Sequence, residues 1–258
     1  MCLILFAYQI HPRYRLLLAA NRDEFYARPT VPAAFWNDAP EVLAGRDLQG
    51  GGTWLGVTRQ GRFAAITNYR DPNDIRTDAP SRGELISNFL RGQDSPQEYL
   101  HALAKHGQDY NGFNVLVGDN MELWYYSNQA GSPQRLEPGI HGLSNHLLNT
   151  PWPKVEWGRR RLGELLAVQA EPTTAELFEL LANPTPAADS DLPNTGVSLE
   201  WERKLSSLFI DSPGYGTRSS TLVRITSTGE LSLTEKTWPD GTVRAFQLQQ
   251  TPGDQILP

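Results

Sequence analysis

Short apolar, β-leaning runs come in blocks at the start, middle and end of this 258-residue chain, and helical pattern fills the intervals. Residues 2–9 and 14–20 are two such runs around His11-Pro12-Arg13, the spacing of a hairpin. Residues 53–58 and 62–68 make a second candidate hairpin about Gln60-Gly61. Strand pattern returns at 113–117 and 122–127, joined by Gly118-Asp119-Asn120, and closes the chain at 219–227, 230–237 and 243–249. Helical pattern covers 81–91, 153–168 and 173–181, and Ser95-Pro96-Gln97-Glu98 supplies an N-cap, a first-turn proline and a capping-box acid. Residues 183–195, rich in Pro, Ala and Asp, read as an exposed loop. Blocks of strands alternating with blocks of helices predict a layered α+β fold rather than a βαβ parallel sheet. No repeat or linker divides the chain, so one domain over 1–258 is expected.

Charge narrows the function classes. A net charge of −6 argues against a nucleic-acid surface, which needs clustered Lys and Arg. The run Arg159-Arg160-Arg161 is expected on a solvated helix face. There is no basic n-region with an apolar core behind it, and no apolar run of about twenty residues to span a bilayer. One cysteine forms no internal disulfide, so the chain reads as a cytoplasmic protein without a transmembrane segment. No zinc-type cysteine spacing and no HxxxH pair occur among His11, His101, His106, His141 and His146, so no metal site is expected.

That cysteine is Cys2, directly behind Met1. Removal of Met1 would leave a first residue carrying both a thiol and an α-amine. Such an amine titrates near about 7.7–8.0 and can act as base to its own thiol, the logic of an N-terminal nucleophile. Cys2 also suits a plain apolar opening to the first strand.

Asn21-Arg22-Asp23-Glu24 is the densest polar cluster and interrupts the end of the second apolar run. Hairpin pairing would bring it toward Cys2, with Asp23 holding the α-ammonium and Asn21 donating to an oxyanion. Asn68, Asn114 and Asn145 end strands or open loops; each could supply amide N–H donors, and each also suits a turn. Gly50-Gly51-Gly52-Thr53-Trp54 could bring backbone close to a ligand, without the spacing of a phosphate loop. Arg218, at the mouth of a late strand, could bind a ligand carboxylate or phosphate, or form a structural ion pair.

Met1-Cys2, Ala19-Ala20-Asn21-Arg22-Asp23-Glu24-Phe25, Gly51-Gly52-Thr53-Trp54-Leu55-Gly56, Thr67-Asn68-Tyr69 and Tyr215-Gly216-Thr217-Arg218 together resemble the NRDE family, also called the Transport and Golgi organisation family. That family in turn resembles the choloylglycine hydrolase and penicillin V acylase branch of N-terminal nucleophile hydrolases. The resemblance implies a four-layer αββα sandwich, with Cys2, Asp23, Asn68 and Asn145 as catalytic residues and Asn21, Arg22, Glu24, Trp54 and Arg218 around a ligand. The branch's strand arginine falls on Ala20, and Arg22 is expected on the opposite face. Two functions are implied. One is a cysteine amidohydrolase of a small amphipathic acyl substrate that needs no cofactor. The other is a non-catalytic carrier of haem, lipid or acyl-CoA, with haem ligated by Cys2 or any of the five histidines. The sequence leaves the oligomeric state open.

Overall fold

The computed structural model describes residues 2–168 and 171–248. Met1 and Gln249, which carried parts of the expectations above, lie outside them. Two antiparallel sheets hold most of the chain. One contains β1 (Cys2–Tyr8), β2 (Tyr14–Phe25), β10 (Gly139–Leu143), β11 (Asp211–Ser212), β12 (Tyr215–Thr226), β13 (Leu231–Thr237) and β14 (Val243–Leu248), in the order β10-β1-β2-β12-β13-β14 with β11 on β12. The other runs in sequence order from β3 (Thr30–Trp36) through β4 (Ala39–Asp47), β5 (Leu55–Thr58), β6 (Phe63–Asn68), β7 (Phe113–Gly118) and β8 (Leu123–Ser127) to β9 (Ala130–Arg135).

Alternation along the strands creates three apolar layers, and the layers define the architecture. Ile4, Phe6 and Tyr8 of β1 meet Val57, Phe63 and Leu116 between the sheets. Leu3 and Leu5, on the other face of β1, pack under α3 (Pro153–Val168) and α4 (Thr174–Leu181). Val115 and Val117 of β7 pack under α1 (Gly83–Arg91) and α2 (Pro96–Ala104). The result is helix, sheet, sheet, helix, the expected αββα sandwich. Burial of each large apolar side chain in these layers contributes about 1.5–3 kcal/mol. Ser95 and Glu98 close the expected capping box of α2, and Thr173 with Glu176 closes another on α4.

Three of the strands that sequence pattern missed lie at sheet edges. β3 carries Pro32 and β9 carries Pro133, residues that weaken a strand reading, yet both strands are sheet edges where a missing N–H is tolerated. β10 is also an edge and begins and breaks on glycine. A short helix, α5 (Leu199–Leu205), follows the 183–195 loop, capped by Ser198. Two corrections concern local geometry. Asn21–Glu24 do not interrupt β2, which continues to Phe25. The close approach at Gly52 is to the chain's own backbone: a Cβ there would lie 2.3 Å from the Gly83 carbonyl carbon at the start of α1.

Candidate active site

The β1–β2 register sets Cys2 opposite Arg22 and Leu3 opposite Asn21. Cys2 falls in phase with Ile4 and Phe6, facing the space between the sheets, and shares a small enclosed void with Ala20, Arg22, Trp54 and Ile66. Arg22 is two residues from Ala20 and therefore lies on the same face of β2, which corrects the expectation that it points the other way. Its guanidinium lies 4.4 Å over the Trp54 ring and 3.7 Å from Asp47, with Glu24 4.0 Å away. Glu24 also lies 3.9 Å from Arg28.

A run of hydrogen bonds leads from Cys2 across to the second sheet. Ser144, just beyond β10, donates its hydroxyl to the Cys2 carbonyl at 3.0 Å. The same hydroxyl lies 3.2 Å from the Asn145 side-chain oxygen and shares its one proton with it, and Asn145 Nδ2 donates to the Asn68 carbonyl at 3.0 Å. The Asn145 carbonyl accepts from the Arg70 amide at 2.7 Å. Asn145 is fully buried, and Asn68 and Asn145 both line an adjoining cleft of about 230 Å³. Arg70, Arg82, Pro72, Ile75 and Val197 form other parts of its wall, a mix of cations and apolar groups.

Asp23 is buried on the opposite face of β2 and accepts from the Thr217 hydroxyl at 2.7 Å; Thr217 in turn accepts from the Ile210 amide. Burial raises its carboxyl pKa, against the pull of Lys154. Burial likewise raises the Cys2 thiol; Asp23 pushes it further up and Arg22 opposes. Lys154, the second residue of α3, is 3% exposed, and its Nζ has no hydrogen-bond partner among the described residues. Burial lowers its pKa from 10.5 to about 8, with Asp23 and Cys2 both favouring the charged form. Behind it, Arg70 pairs with Glu202 of α5 at 2.9 Å, both almost fully buried, and Glu202 also takes two hydrogen bonds from Thr195.

The structure therefore gathers Cys2, Asp23, Asn68 and Asn145 at one end of the sandwich. Three other expectations change. Asn21 spends both amide N–H groups on the carbonyls of Leu181 and Leu208, and its oxygen accepts from Ser220, so it has no donor left for an oxyanion or ligand. Asn114 is equally committed, to Thr67, His146 and Tyr125. Arg218 sits at a β-bulge between Thr217 and Ser219 and donates to the carbonyls of Phe25, Tyr26 and Arg28, which fixes the turn after β2. The bulge fits beside Gly216, where a Cβ would fall 2.6 Å from the Ile210 carbonyl oxygen.

Lys154, Arg70 and Glu202 were missed. Lys154 did leave a trace: a lysine in a first helical turn runs against the helix dipole and asks for a local reason. Arg70 and Glu202 left none, because their pairing spans 132 residues.

A family model for Transport and Golgi organisation 2 matches residues 1–240. The Transport and Golgi organization protein 2 homolog of Homo sapiens is 35% identical over 264 residues, 93% of this chain and 94% of its own. The Drosophila melanogaster protein of that name is 29% identical over 92% of each chain. Similar solved structures include a mutant conjugated bile acid hydrolase from Clostridium perfringens, 12% identical, covering 96% of this chain and 92% of that one with a TM-score of 0.48. A Caenorhabditis elegans N-acylethanolamine-hydrolyzing acid amidase ortholog is 11% identical over 86% of this chain and 92% of its own, with a TM-score of 0.47. By the span of the family model and the identity to these relatives, the chain belongs to the Transport and Golgi organisation 2 family.

Proposed function

We propose that the chain is a Cys2-dependent amidohydrolase of the N-terminal nucleophile type, acting in the cytoplasm on a small amphipathic acyl amide. The observation that carries this reading is the hydrogen-bonded run from Cys2 through Ser144 and Asn145 to Asn68, which joins the nucleophile to amide donors at the edge of a cleft.

With Met1 removed, the Cys2 amine takes the thiol proton, and the thiolate sulfur attacks the substrate carbonyl carbon. A half-buried thiol with a raised pKa needs such a base. Asn145 Nδ2 uses one N–H on Asn68, and its second N–H, with the Asn68 amide, holds the tetrahedral oxyanion. The ammonium returns the proton to the leaving nitrogen as the C–N bond breaks, leaving a thioester on Cys2. Water, deprotonated by the same amine, then releases the acid and restores the thiol. Asp23, fixed by Thr217, stabilises the ammonium form. Lys154 adds positive potential where the thiolate forms.

Arg70 offers Nε and Nη2, neither with a partner among the described residues, to the polar end of the substrate. Ile75, Pro72 and Val197 take its apolar part. A cleft of about 230 Å³ suits an acyl group smaller than the ligands held by pockets of about 300–1,000 Å³. The carrier reading, for haem, lipid or acyl-CoA, draws on one observation: burial holds the Cys2 thiol protonated. Hydrolysis of a panel of carboxylate-bearing N-acyl anilides separates the two. Loss of all turnover in Cys2→Ala supports the hydrolase, and unchanged turnover sinks it.

A further inference from the structure

Arg22 and Trp54 line the void that holds Cys2, and they also line a second cleft of about 290 Å³. This cleft continues the space between the sheets at its polar end. On β12, β13 and β14 the residues facing the inter-sheet core are Val223 and Ile225, Leu231 and Leu233, and Phe246 and Leu248. Two-residue periodicity extends those same faces to Ser219, Glu235 and Arg244, and the β2 face of Leu18 and Ala20 extends to Arg22. Four adjacent strands thus send a polar row into one cavity. Trp54, Trp238, Pro32 and Pro239 wall it.

The donors in that row outnumber the acceptors. Arg22, 5% exposed, has a buried Nη1 with no hydrogen-bond partner among the described residues, and the buried Nη1 of Arg244 has none among them either. The ion pairs of Arg22 with Asp47 and Glu24 run through Nη2 and leave Nη1 out. Among the acids, Glu235 accepts from the Ala33 amide at 2.6 Å and lies beside the Ser219 hydroxyl; burial pushes its pKa up, toward the neutral form, against the pull of the Arg244 and Arg22 charges, so it answers them only in part. Asp240 is taken by Thr237 and Thr242, and Arg218, which also lines the cleft, gives its Nη1 to the turn carbonyls. Two guanidinium nitrogens without acceptors among the described residues, buried between flat apolar walls, describe a site suited to an anion.

We infer that this cleft binds a small organic anion, a carboxylate or phosphate carried on a planar apolar group, with Arg22 Nη1 and Arg244 Nη1 as its clamp. The anion lies between the two guanidinium groups, and the planar group packs on the tryptophan and proline walls. The site needs no thiol chemistry, so it stands or falls separately from the hydrolase reading.

Isothermal titration of the full chain, as wild type and as Cys2→Ala, with phenyl phosphate, benzoate and inorganic phosphate tests it. One saturable site per chain for phenyl phosphate or benzoate is expected in both proteins, and the tighter of the two identifies the anion. Arg244→Met should weaken binding at least tenfold, and Arg244→Lys less, while Arg135→Met, which removes an exposed arginine on β9, leaves it unchanged. Trp238→Leu should weaken phenyl phosphate and benzoate but not inorganic phosphate. Thermal melts of each variant establish that it is folded. No saturable binding by wild type, or equal binding by folded Arg244→Met and Arg244→Lys, overturns the inference. Inorganic phosphate binding as tightly as phenyl phosphate overturns the planar part of the ligand.

Discussion

Replacing Lys154 with methionine tests the electrostatics of the site through stability. The lysine amine is buried without a hydrogen-bond partner among the described residues, and its pKa falls from 10.5 to about 8. That gap, at about 1.4 kcal/mol for each pH unit, is about 3 kcal/mol. The sign follows from proton counting. Below pH 8 both folded and unfolded chains carry the ammonium, and the folded chain bears the full cost of burying it. Between pH 8 and 10.5 the unfolded chain keeps the proton that the folded chain has lost, so this group makes stability rise with pH. Methionine has a similar apolar stem and no proton to lose. Urea denaturation of wild type and Lys154→Met from pH 7 to 10.5 should show the wild type gaining about 3 kcal/mol on the variant across that range. Loss of the cation near Asp23 gives the variant a constant offset, and tyrosines and Cys2 titrate in both proteins, so the slope of the difference isolates Lys154. Parallel pH profiles would refute the burial of this lysine beside Asp23.

Three further outcomes follow from single contacts. Arg70→Met should cost about 3–5 kcal/mol in urea denaturation by stranding the buried Glu202 carboxylate, and Glu202→Gln added to it should recover most of the loss because Thr195 still serves the side chain. Asn21→Leu strips donors from the carbonyls of Leu181 and Leu208 and should cost at least about 2 kcal/mol, read as a lower urea midpoint with the m-value unchanged. Asn68→Ala should reduce anilide turnover by about 10²–10³ through loss of an oxyanion donor, while its melting temperature stays close to that of the wild type.

Much of the architecture was legible because it rests on local pattern. The β1 and β2 runs are short, continuous apolar segments broken at His11-Pro12-Arg13, and the capping box at Ser95 obeys a rule confined to four residues. β3 and β9 were hidden by prolines that only an edge position makes harmless, and edge position is a property of the whole sheet. The candidate site divides in the same way. Cys2 and Asp23 could be read from the chain start and a polar tetrad on the next strand. The convergence of Asn145 with Asn68 joins residues 77 apart through one amide, and nothing local encodes it. Asn21 was misread because its three partners come from α4, the segment after α5 and β12. A buried asparagine that satisfies distant backbone looks, in sequence, like one that waits for a ligand.

Mass spectrometry of the purified chain, before and after brief exposure to an activated acyl ester and acid quench, tests the central claim most directly. The proposed mechanism predicts a chain that starts at Cys2 and gains one acyl group, mapped to the peptide carrying that residue and absent in Cys2→Ala. Retention of Met1, or an unacylated Cys2 under conditions where substrate is turned over, would contradict it.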